Sequence, residues 1–255
     1  MKAKLKNPQE IAVMREGGEK LSQILAQLVE SSKVGVTLFD IETRAQDLIK
    51  KTGGKPGFAM VPGYRWATCI NLNEGVVHGI PGERKLRDGD VVSIDIGMFY
   101  KGFHTDMSTS FQVGETSLKE ESETSKFLKV GKNTLEKAIS EVKPGKRIGH
   151  ISQAIQKNIE KAGYSCVYSL VGHGIGRDLH EYPPIPGVLV GSLEQTPMLK
   201  IGMALAIEVI YAMGKPETYT DPEDGWTIVT QDGKIAAVFE KTIAVVSDGY
   251  LLITP

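Results

Sequence analysis

The sequence has little cysteine, no long apolar run and no excess of charge of one sign. Only Cys69 and Cys166 are present, which are too few and too far apart for a disulfide framework or a cysteine zinc site. No apolar stretch of about 18 residues occurs, and the basic start of the chain lacks the apolar core of a secretory signal. We therefore expect a protein of the cytoplasm.

The charge balance also limits the partners that we expect. The 30 basic and 31 acidic residues leave a net charge of −1, which argues against a nucleic-acid substrate or a membrane surface as the main partner. With 41% hydrophobic residues, the 255-residue chain can bury a sizeable core in one large domain or in two packed halves.

The chain is organised around residues 91–111, VVSIDIGMFYKGFHTDMSTSF. Two runs of β-branched, apolar and small residues meet near residues 100–102, which predicts a β-hairpin. In the predicted register, Asp95 lies opposite Asp106. Side chains alternate between the two faces of a strand, so both aspartates lie on the face opposite the apolar residues. Two carboxylates held so close need a shared proton or a cation, unless this face is merely solvated.

Helices precede this hairpin. Asn7-Pro8-Gln9-Glu10 supplies an N-cap residue, a proline at the first helical position and an acid at the third, so a helix is expected through about Val29. A second helix is expected from about Thr37, with Gly53-Gly54 as its stop. Short strands cut by glycine and proline follow.

The second half of the chain repeats the first. A shift of 110 residues lays residues 35–53 on residues 145–163, and a shift of 113 lays LRDGDVVSID, ending at Asp95, on LKIGMALAIE, ending at Glu208. We predict two halves, about 1–115 and 116–255, each with helices followed by strands. Chance similarity between short amphipathic segments is the alternative.

A second hairpin is predicted from residues 226–230 and 235–246, joined through Asp232-Gly233. It carries Glu240 inside an apolar run, and Glu208 lies inside another. A buried carboxylate is costly unless it is paired, although either residue alone could face water at a sheet edge. Four acids on matched strands favour an acidic cluster where the halves meet.

The glycine-rich segment GHGIGRDLHE adds His173 and His180. It opens no long helix in a βαβ pattern, so we set aside a dinucleotide site. Two aspartates, two glutamates and neutral His173 sum to a charge of −4, which balances two divalent cations. A set of oxygen ligands with one nitrogen suits manganese, ferrous iron, cobalt or zinc. Two such metal ions side by side support hydrolysis. Without a Walker-type loop, an amide or ester carbonyl is the expected target.

Six motifs occur in order along the chain: NEGVVHGIP, VSIDIG, HTD, GHGIGRDLHE, AIE and FEKT. Together they resemble the type I methionine aminopeptidases, metallopeptidases of the pita-bread fold, and the resemblance runs through nearly the whole chain. It implies an α+β fold in which two pseudo-symmetric helix-plus-strand halves form a curved, mainly antiparallel sheet covered by helices. Residues 1–255 are then expected to form a single catalytic domain.

The resemblance also implies a site. Its two metal ions are held by Asp95, Asp106, His173, Glu208 and Glu240, with Asp106 and Glu240 as bridging ligands. His78 and His180 are implied to contact the scissile peptide instead, and Glu208 to help manage the proton of the attacking water. The implied activity is removal of the N-terminal methionine from nascent proteins and peptides by hydroxide attack at a dinuclear metal site, with transient ribosome contact. We expect a monomer.

The family's methionine pocket maps onto six residues: Phe58, Val61, Tyr64, Cys69, Leu179 and Trp226. Many bacterial relatives have cysteine at the position of Phe58, tyrosine at Val61 and phenylalanine at Leu179, so we expect repacking to a similar volume. Val209 also replaces a usual proline, and Met107 a usual threonine. Tyr64 and Trp226 could equally be core aromatics.

Two other interpretations stay open. One is a related dinuclear aminopeptidase or dipeptidase with altered specificity, such as for proline-containing peptides; those relatives usually carry an added N-terminal domain, for which we expect no room. The other is a non-catalytic peptide-binding protein on the same fold, although such relatives tend to lose the ligands that are intact here. A type II enzyme is disfavoured because its helical insertion has no space between Glu208 and Glu240.

Overall fold

A computed structural model describes residues 2–115 and 122–255 of the chain. Its four α-helices in these ranges are α1 (Pro8–Ser31), α2 (Leu38–Lys51), α3 (Glu123–Ser140) and α4 (Ile148–Lys161). The first two begin where the sequence predicts. Asn7 and Thr37 each cap their helix through a capping box, in which the side chain accepts the backbone N–H of Glu10 or Asp40 and that acid bonds back to the cap.

The described ranges also contain thirteen strands, five between α2 and α3 and eight after α4. They are β1 (Lys55–Pro56), β2 (Thr68–Leu72), β3 (Gly75–Val77), β4 (Val91–Tyr100), β5 (Phe103–Gln112), β6 (Ser165–Cys166), β7 (Val171–Gly174), β8 (Glu181–Pro186), β9 (Ala204–Ala212), β10 (Thr218–Thr220), β11 (Ile228–Thr230), β12 (Ala236–Val246) and β13 (Gly249–Leu252). Short 3₁₀ turns lie at Phe58–Met60 and Leu193–Gln195.

Ten of these strands form one antiparallel sheet whose main path runs β1-β4-β5-β12-β9-β7-β8. The centre of this path joins the halves of the chain, because β5 from the first half pairs with β12 from the second. Strand β4 flanks β5 on one side, and β9 flanks β12 on the other. The predicted mixed fold with a mainly antiparallel sheet is therefore confirmed.

The repeat reappears as matched geometry. Helices α2 and α4 have 14 residues each, and their bounds differ by the same 110 residues that align the sequences. The glycines at the two ends of the repeat adopt positive φ in both copies, at +91° and +79° for Gly35 and Gly53 and at +85° and +84° for Gly145 and Gly163. Residues other than glycine rarely adopt this backbone conformation, so the glycines allow the same turns at the two ends of each copy. The predicted boundary at 115/116 adjoins residues 116–121, which lie outside the described ranges.

Each half has its own apolar core against one face of the sheet. In the first half, α1 packs on β4 and β5 and α2 packs on β1 and β2, through residues such as Leu28, Ile41 and Ile94. In the second, α3 packs on β9 and β12 and α4 packs on β6 and β8, through residues such as Phe127 and Ile151. A third cluster lies between the halves and contains the residues predicted to form the methionine pocket. Both cores pack against one face of the sheet, which leaves the side chains of the other face to meet between the two halves.

The second predicted hairpin is wrong. Strand β11 does not pair with β12; it pairs with β10 and β3 in a separate three-stranded sheet. The turn at Asp232-Gly233 does form, since the N–H of Gly233 donates to the carbonyl of Thr230. After this turn the chain leaves the three-stranded sheet, because β12 pairs with β9 over residues 236–244.

Within the described part of the chain, none of the helices combines the length and apolar character needed to cross a lipid bilayer.

Candidate metal centre and adjoining pocket

Strands β4 and β5 place Asp95 and Asp106 on the same face of the sheet but not opposite each other. Asp95 pairs with Ser108, and Asp106 pairs with Gly97. The predicted register is therefore wrong by two residues, because the turn is centred on Lys101 and Gly102, both at positive φ. The two carboxylates are diagonal neighbours, which still lie within reach of each other across a strand pair.

The second half contributes two glutamates through the matching strands. Glu208 of β9 and Glu240 of β12 are direct partners in the antiparallel ladder. Glu240 also lies opposite Ser108 of β5, the residue that faces Asp95. Four carboxylates on four neighbouring strands thus converge where the halves meet, as the repeat predicts.

His173 completes this group from β7, where it lies opposite Ala206 of β9. Its Nδ1 is 2.9 Å from the carbonyl oxygen of Gly174, which can only accept, so Nδ1 carries the proton. Its Nε2 then presents a lone pair toward the acids and lies 3.6 Å from Oε1 of Glu208. A backbone carbonyl that fixes the tautomer in this way is typical of a metal-binding histidine.

Burial shifts the pKa of every member of the group. It raises the pKa of Asp95 to about 7. Burial and the neighbouring carboxylates raise the pKa values of Asp106, Glu208 and Glu240 well above their ordinary range. Burial also lowers the pKa of His173 to about 4, so the imidazole is neutral near pH 7. The cluster cannot ionise fully without a compensating positive charge.

The donor atoms fit a divalent cation. Asp95 Oδ1, Asp106 Oδ1 and Glu240 Oε1 are buried and accept no hydrogen bond from the described part of the protein. Ligand atoms of Asp106, His173 and Glu240 all lie within 4.8 Å of one another. Buried polar atoms nearly always have partners, so three carboxylate oxygens without one indicate that the partner is a bound ion.

An apolar pocket adjoins the carboxylates in the same cavity of about 320 Å³. Its walls include all six predicted pocket residues: Phe58, Val61, Tyr64, Cys69, Leu179 and Trp226. The rings of Tyr64 and Trp226 pack edge to face with centroids 5.1 Å apart. The Tyr64 hydroxyl donates a hydrogen bond to the carbonyl of Thr68. These six residues belong to one apolar cluster, so the wall is packed before any ligand enters.

His78 and His180 line the same cavity. The ring of His180 packs edge to face against that of His173, with centroids 4.4 Å apart. His78 adopts a φ of +60°, an uncommon conformation for a residue with a side chain. The N–H of the next residue, Gly79, donates to Oδ1 of buried Asn71 at 2.9 Å, which holds this strained turn in place.

Several residues around the site were missed by the sequence analysis. Thr242 is fully buried, and its hydroxyl both accepts the N–H of Asp106 and donates to the Asp106 carbonyl. It follows Glu240 by two residues, so strand alternation could have placed it on the same face. Ser169, Leu170 and Val171 also line the cavity, but they precede the histidine motif without any signal of their own.

Comparison with known proteins places this geometry in a family. Residues 12–247 match metallopeptidase family M24. Methionine aminopeptidase 1 of Bacillus subtilis is 41% identical over 249 residues, covering 98% of each chain. The crystal structure of methionine aminopeptidase from Thermotoga maritima superposes with a TM-score of 0.93 at 38% identity over 99% of each chain.

A prolidase from Pyrococcus horikoshii shares the fold alone, with a TM-score of 0.75 and 19% identity over 98% of this chain and 63% of that one. The match to the family and the full-length relatives lead to one conclusion. The chain belongs to metallopeptidase family M24 and, within it, to the methionine aminopeptidases.

Proposed function

We propose that this protein is a metal-dependent aminopeptidase that removes the N-terminal methionine from nascent proteins and peptides. The observation that carries the proposal is the joining of two features in one cavity: four carboxylates with a neutral histidine, and an apolar pocket beside them. Charged donors alone would suit many metal proteins. An apolar pocket beside them selects a substrate with a long apolar side chain next to its reacting carbonyl.

Membership in a metallopeptidase family implies a divalent metal. Asp95, Asp106, His173, Glu208 and Glu240 would hold it, and we propose two ions, because the four carboxylates carry a charge of −4 when ionised. Asp106 and Glu240, on the two central strands, would serve both ions. Manganese, ferrous iron, cobalt and zinc suit this donor set. When bound, such ions lower the pKa of water and polarise a carbonyl.

The protein's own groups supply the remaining steps. Glu208 accepts the proton of the attacking water and delivers it to the departing amine, so that one water is consumed for each methionine released. His180, beside His173, donates a hydrogen bond to the oxygen that gains negative charge. Burial lowers the pKa of His180, which keeps the ring neutral, with one N–H donor, near pH 7. His78, held by its strained turn, orients the backbone of the second residue.

The pocket wall binds the methionine side chain. Phe58, Leu179 and Cys69 are buried and present apolar atoms, and the thioether of methionine is flexible enough to fit an irregular apolar space. Because burial raises the pKa of the Cys69 thiol, Cys69 remains a neutral wall residue.

The cellular context follows from the substrate. We propose that residues 1–255 act as one catalytic domain in the cytoplasm and as a monomer. New N-termini emerge at the ribosome, so transient ribosome contact would bring the enzyme to its substrate.

A second candidate function is an aminopeptidase or dipeptidase with altered specificity. The feature that favours it is the pocket wall, in which Phe58, Val61 and Leu179 differ from the side chains that the family resemblance leads us to expect. The larger Phe58 and the smaller Val61 and Leu179 change the shape of the wall even if its volume is retained.

The test compares hydrolysis of Met-Ala-Ser, Leu-Ala-Ser and Pro-Ala-Ser by chelated protein reloaded in turn with manganese, iron, cobalt or zinc. Cleavage of the methionine peptide alone, dependent on added metal, supports the first function. Preferred cleavage of another peptide supports the second. No cleavage of any peptide by metal-loaded protein would contradict both.

A further inference from the structure

The N-terminal segment is bound to the loop that carries His180. This loop, residues 175–180, connects β7 to β8 and contains Leu179 and His180, which line the cavity. Lys4, Lys6 and Glu10 of the N-terminal segment form ion pairs with Asp178, Glu181 and Arg177, respectively. No predicted role accounts for this concentration of charge pairs beside the site.

The three pairs differ sharply in burial. The side chains of Lys6 and Glu181 are each only 2% exposed, whereas those of Lys4 and Asp178 are 55% and 62% exposed. Exposed pairs contribute little because water screens them. A buried pair is different: once one partner is removed, the other is left as an uncompensated charge in a dry site. The Lys6–Glu181 pair is therefore the one that can control the loop.

Glu181 links Lys6 to the loop backbone. Its Oε2 accepts Lys6 Nζ at 2.5 Å, while its Oε1 accepts the N–H of Arg177 at 2.9 Å and that of Asp178 at 3.3 Å. The Glu181 carboxylate thus binds the loop backbone at Arg177 and Asp178. These hydrogen bonds close a turn that contains His180. If Lys6 were absent, Glu181 would gain by turning toward water and releasing both N–H groups.

Lys6 is itself fixed by the surrounding backbone. Its N–H donates to the carbonyl of Gly202 at 2.7 Å, just ahead of the strand that carries Glu208. Its ammonium fits over Gly176, where an added Cβ would lie 2.6 Å from Nζ. The carbonyl of Gly176 accepts the N–H of His104 on β5 at 2.7 Å. Lys6 therefore lies at a junction of the loop with both halves of the sheet.

We propose that Lys6 is a positioning residue for His180, acting through the Glu181 carboxylate that closes the 175–180 loop. The inference rests on the proposed function, because it gives that loop a task in peptide cleavage. Neither Lys6 nor Glu181 touches the substrate. Their pairing sets where the His180 ring stands relative to the scissile carbonyl, and displacement of such a group by about 1 Å is enough to cost on the order of a hundredfold in rate.

The test uses Lys6→Met, which keeps the length and apolar stem of the side chain and removes its charge. We expect kcat/KM for Met-Ala-Ser to fall roughly ten- to a hundredfold with the bound metal retained. Amide hydrogen exchange at Arg177 and Asp178 should accelerate. The matched control is Arg15→Met, which breaks an exposed pair with Glu19 on α1 and should leave both measurements unchanged.

Two further variants separate positioning from general destabilisation. Lys6→Met/Glu181→Gln removes the unpaired charge but keeps an oxygen that can accept the loop N–H groups, so it should recover part of the rate and of the amide protection. In a His180→Ala background, Lys6→Met should lower kcat/KM little further, because the group it positions is gone.

Two results would overturn the proposal. One is wild-type rate and wild-type exchange in Lys6→Met. The other is an equal fold-loss from Lys6→Met with and without His180, since that loss does not pass through the histidine. If the wild-type protein cleaves no methionine peptide, the proposed function is wrong, and the exchange comparison decides by itself whether Lys6 orders the loop.

Discussion

Glu208 of β9 and Glu240 of β12 lie directly opposite each other in an antiparallel ladder at the centre of the sheet. Like charges in this relationship destabilise a strand pair. The surrounding apolar cores hold the two strands in this register in spite of the repulsion. The protein therefore maintains a local conflict that a divalent cation relieves, and the conflict leads to measurable consequences.

The first prediction is that chelated protein loses stability as the pH rises from about 7 to about 8.5. Across that window the carboxyls of the unfolded chain are already ionised and its histidines are neutral. In the folded chain, burial raises the pKa of Asp95 to about 7 and those of Asp106, Glu208 and Glu240 well above their usual values. The folded state therefore holds more protons, and its stability falls as they are lost.

Thermal unfolding followed by circular dichroism measures this effect. The midpoint of the chelated protein should fall across the window, while that of manganese-loaded protein should not, because the ions compensate the charge. Asp95→Asn should make the fall shallower. A midpoint that stays constant or rises with pH in the chelated protein would count against the buried acidic cluster.

The second prediction concerns His180→Ala. Metal content and the unfolding midpoint should match those of the wild type, but kcat for Met-Ala-Ser should fall about a hundred- to a thousandfold, the usual loss when one donor to a developing oxyanion is removed. His180→Gln, which retains an N–H donor, should fall less. An unchanged kcat in the alanine variant would remove His180 from the reaction.

The third prediction tests the pocket wall through Gly97. A Cβ at Gly97 would lie 2.6 Å from Cε1 of Phe58, so Gly97→Ala should push the ring into the pocket. We expect a higher KM for Met-Ala-Ser and a loss of about 1–3 kcal/mol of stability from overpacking. Adding Phe58→Cys should restore KM, because it removes the ring that clashes.

Gly187→Ala is the matched control for this pair, since an added Cβ there meets only Ile155 at an ordinary 3.8 Å. If Gly97→Ala leaves KM unchanged, or if Phe58→Cys fails to relieve it, the Phe58 ring does not limit the space for the methionine side chain.

Much of the fold could be predicted because its signals are local or repeated. The caps at Asn7 and Thr37 fixed two helix starts, and the matched segments around Gly35 and Gly145 predicted two copies of one plan. The hairpin of β4 and β5 was also predicted, but its register was not. The observed turn is centred on Lys101 and Gly102, one position later than the predicted register requires, and this shift of the turn moves the partner of Asp106 by two residues, from Asp95 to Gly97.

The wrong or missing predictions share one physical cause, which is pairing between residues that are far apart in the sequence. Strand β11 leaves its sequence neighbour β12 for β3, more than a hundred residues away in the chain, and no local pattern encodes that choice. The contact of Lys6 with Glu181 joins residues separated by 175 positions. By contrast, the ligands could be proposed from the sequence because each is a charged or imidazole side chain in apolar or glycine-rich surroundings, a local contradiction that the sequence displays.

The most direct test of the account is a metal titration of chelated protein in which bound manganese and release of methionine from Met-Ala-Ser are measured together. We expect wild-type protein to bind two ions per chain and to gain activity only as they bind. Asp106→Ala and Glu240→Ala should lose metal and activity together, whereas Asp47→Ala, an exposed acid on α2, should behave as wild type. Full activity in either site variant, or in protein shown to be free of metal, would contradict the two-metal site.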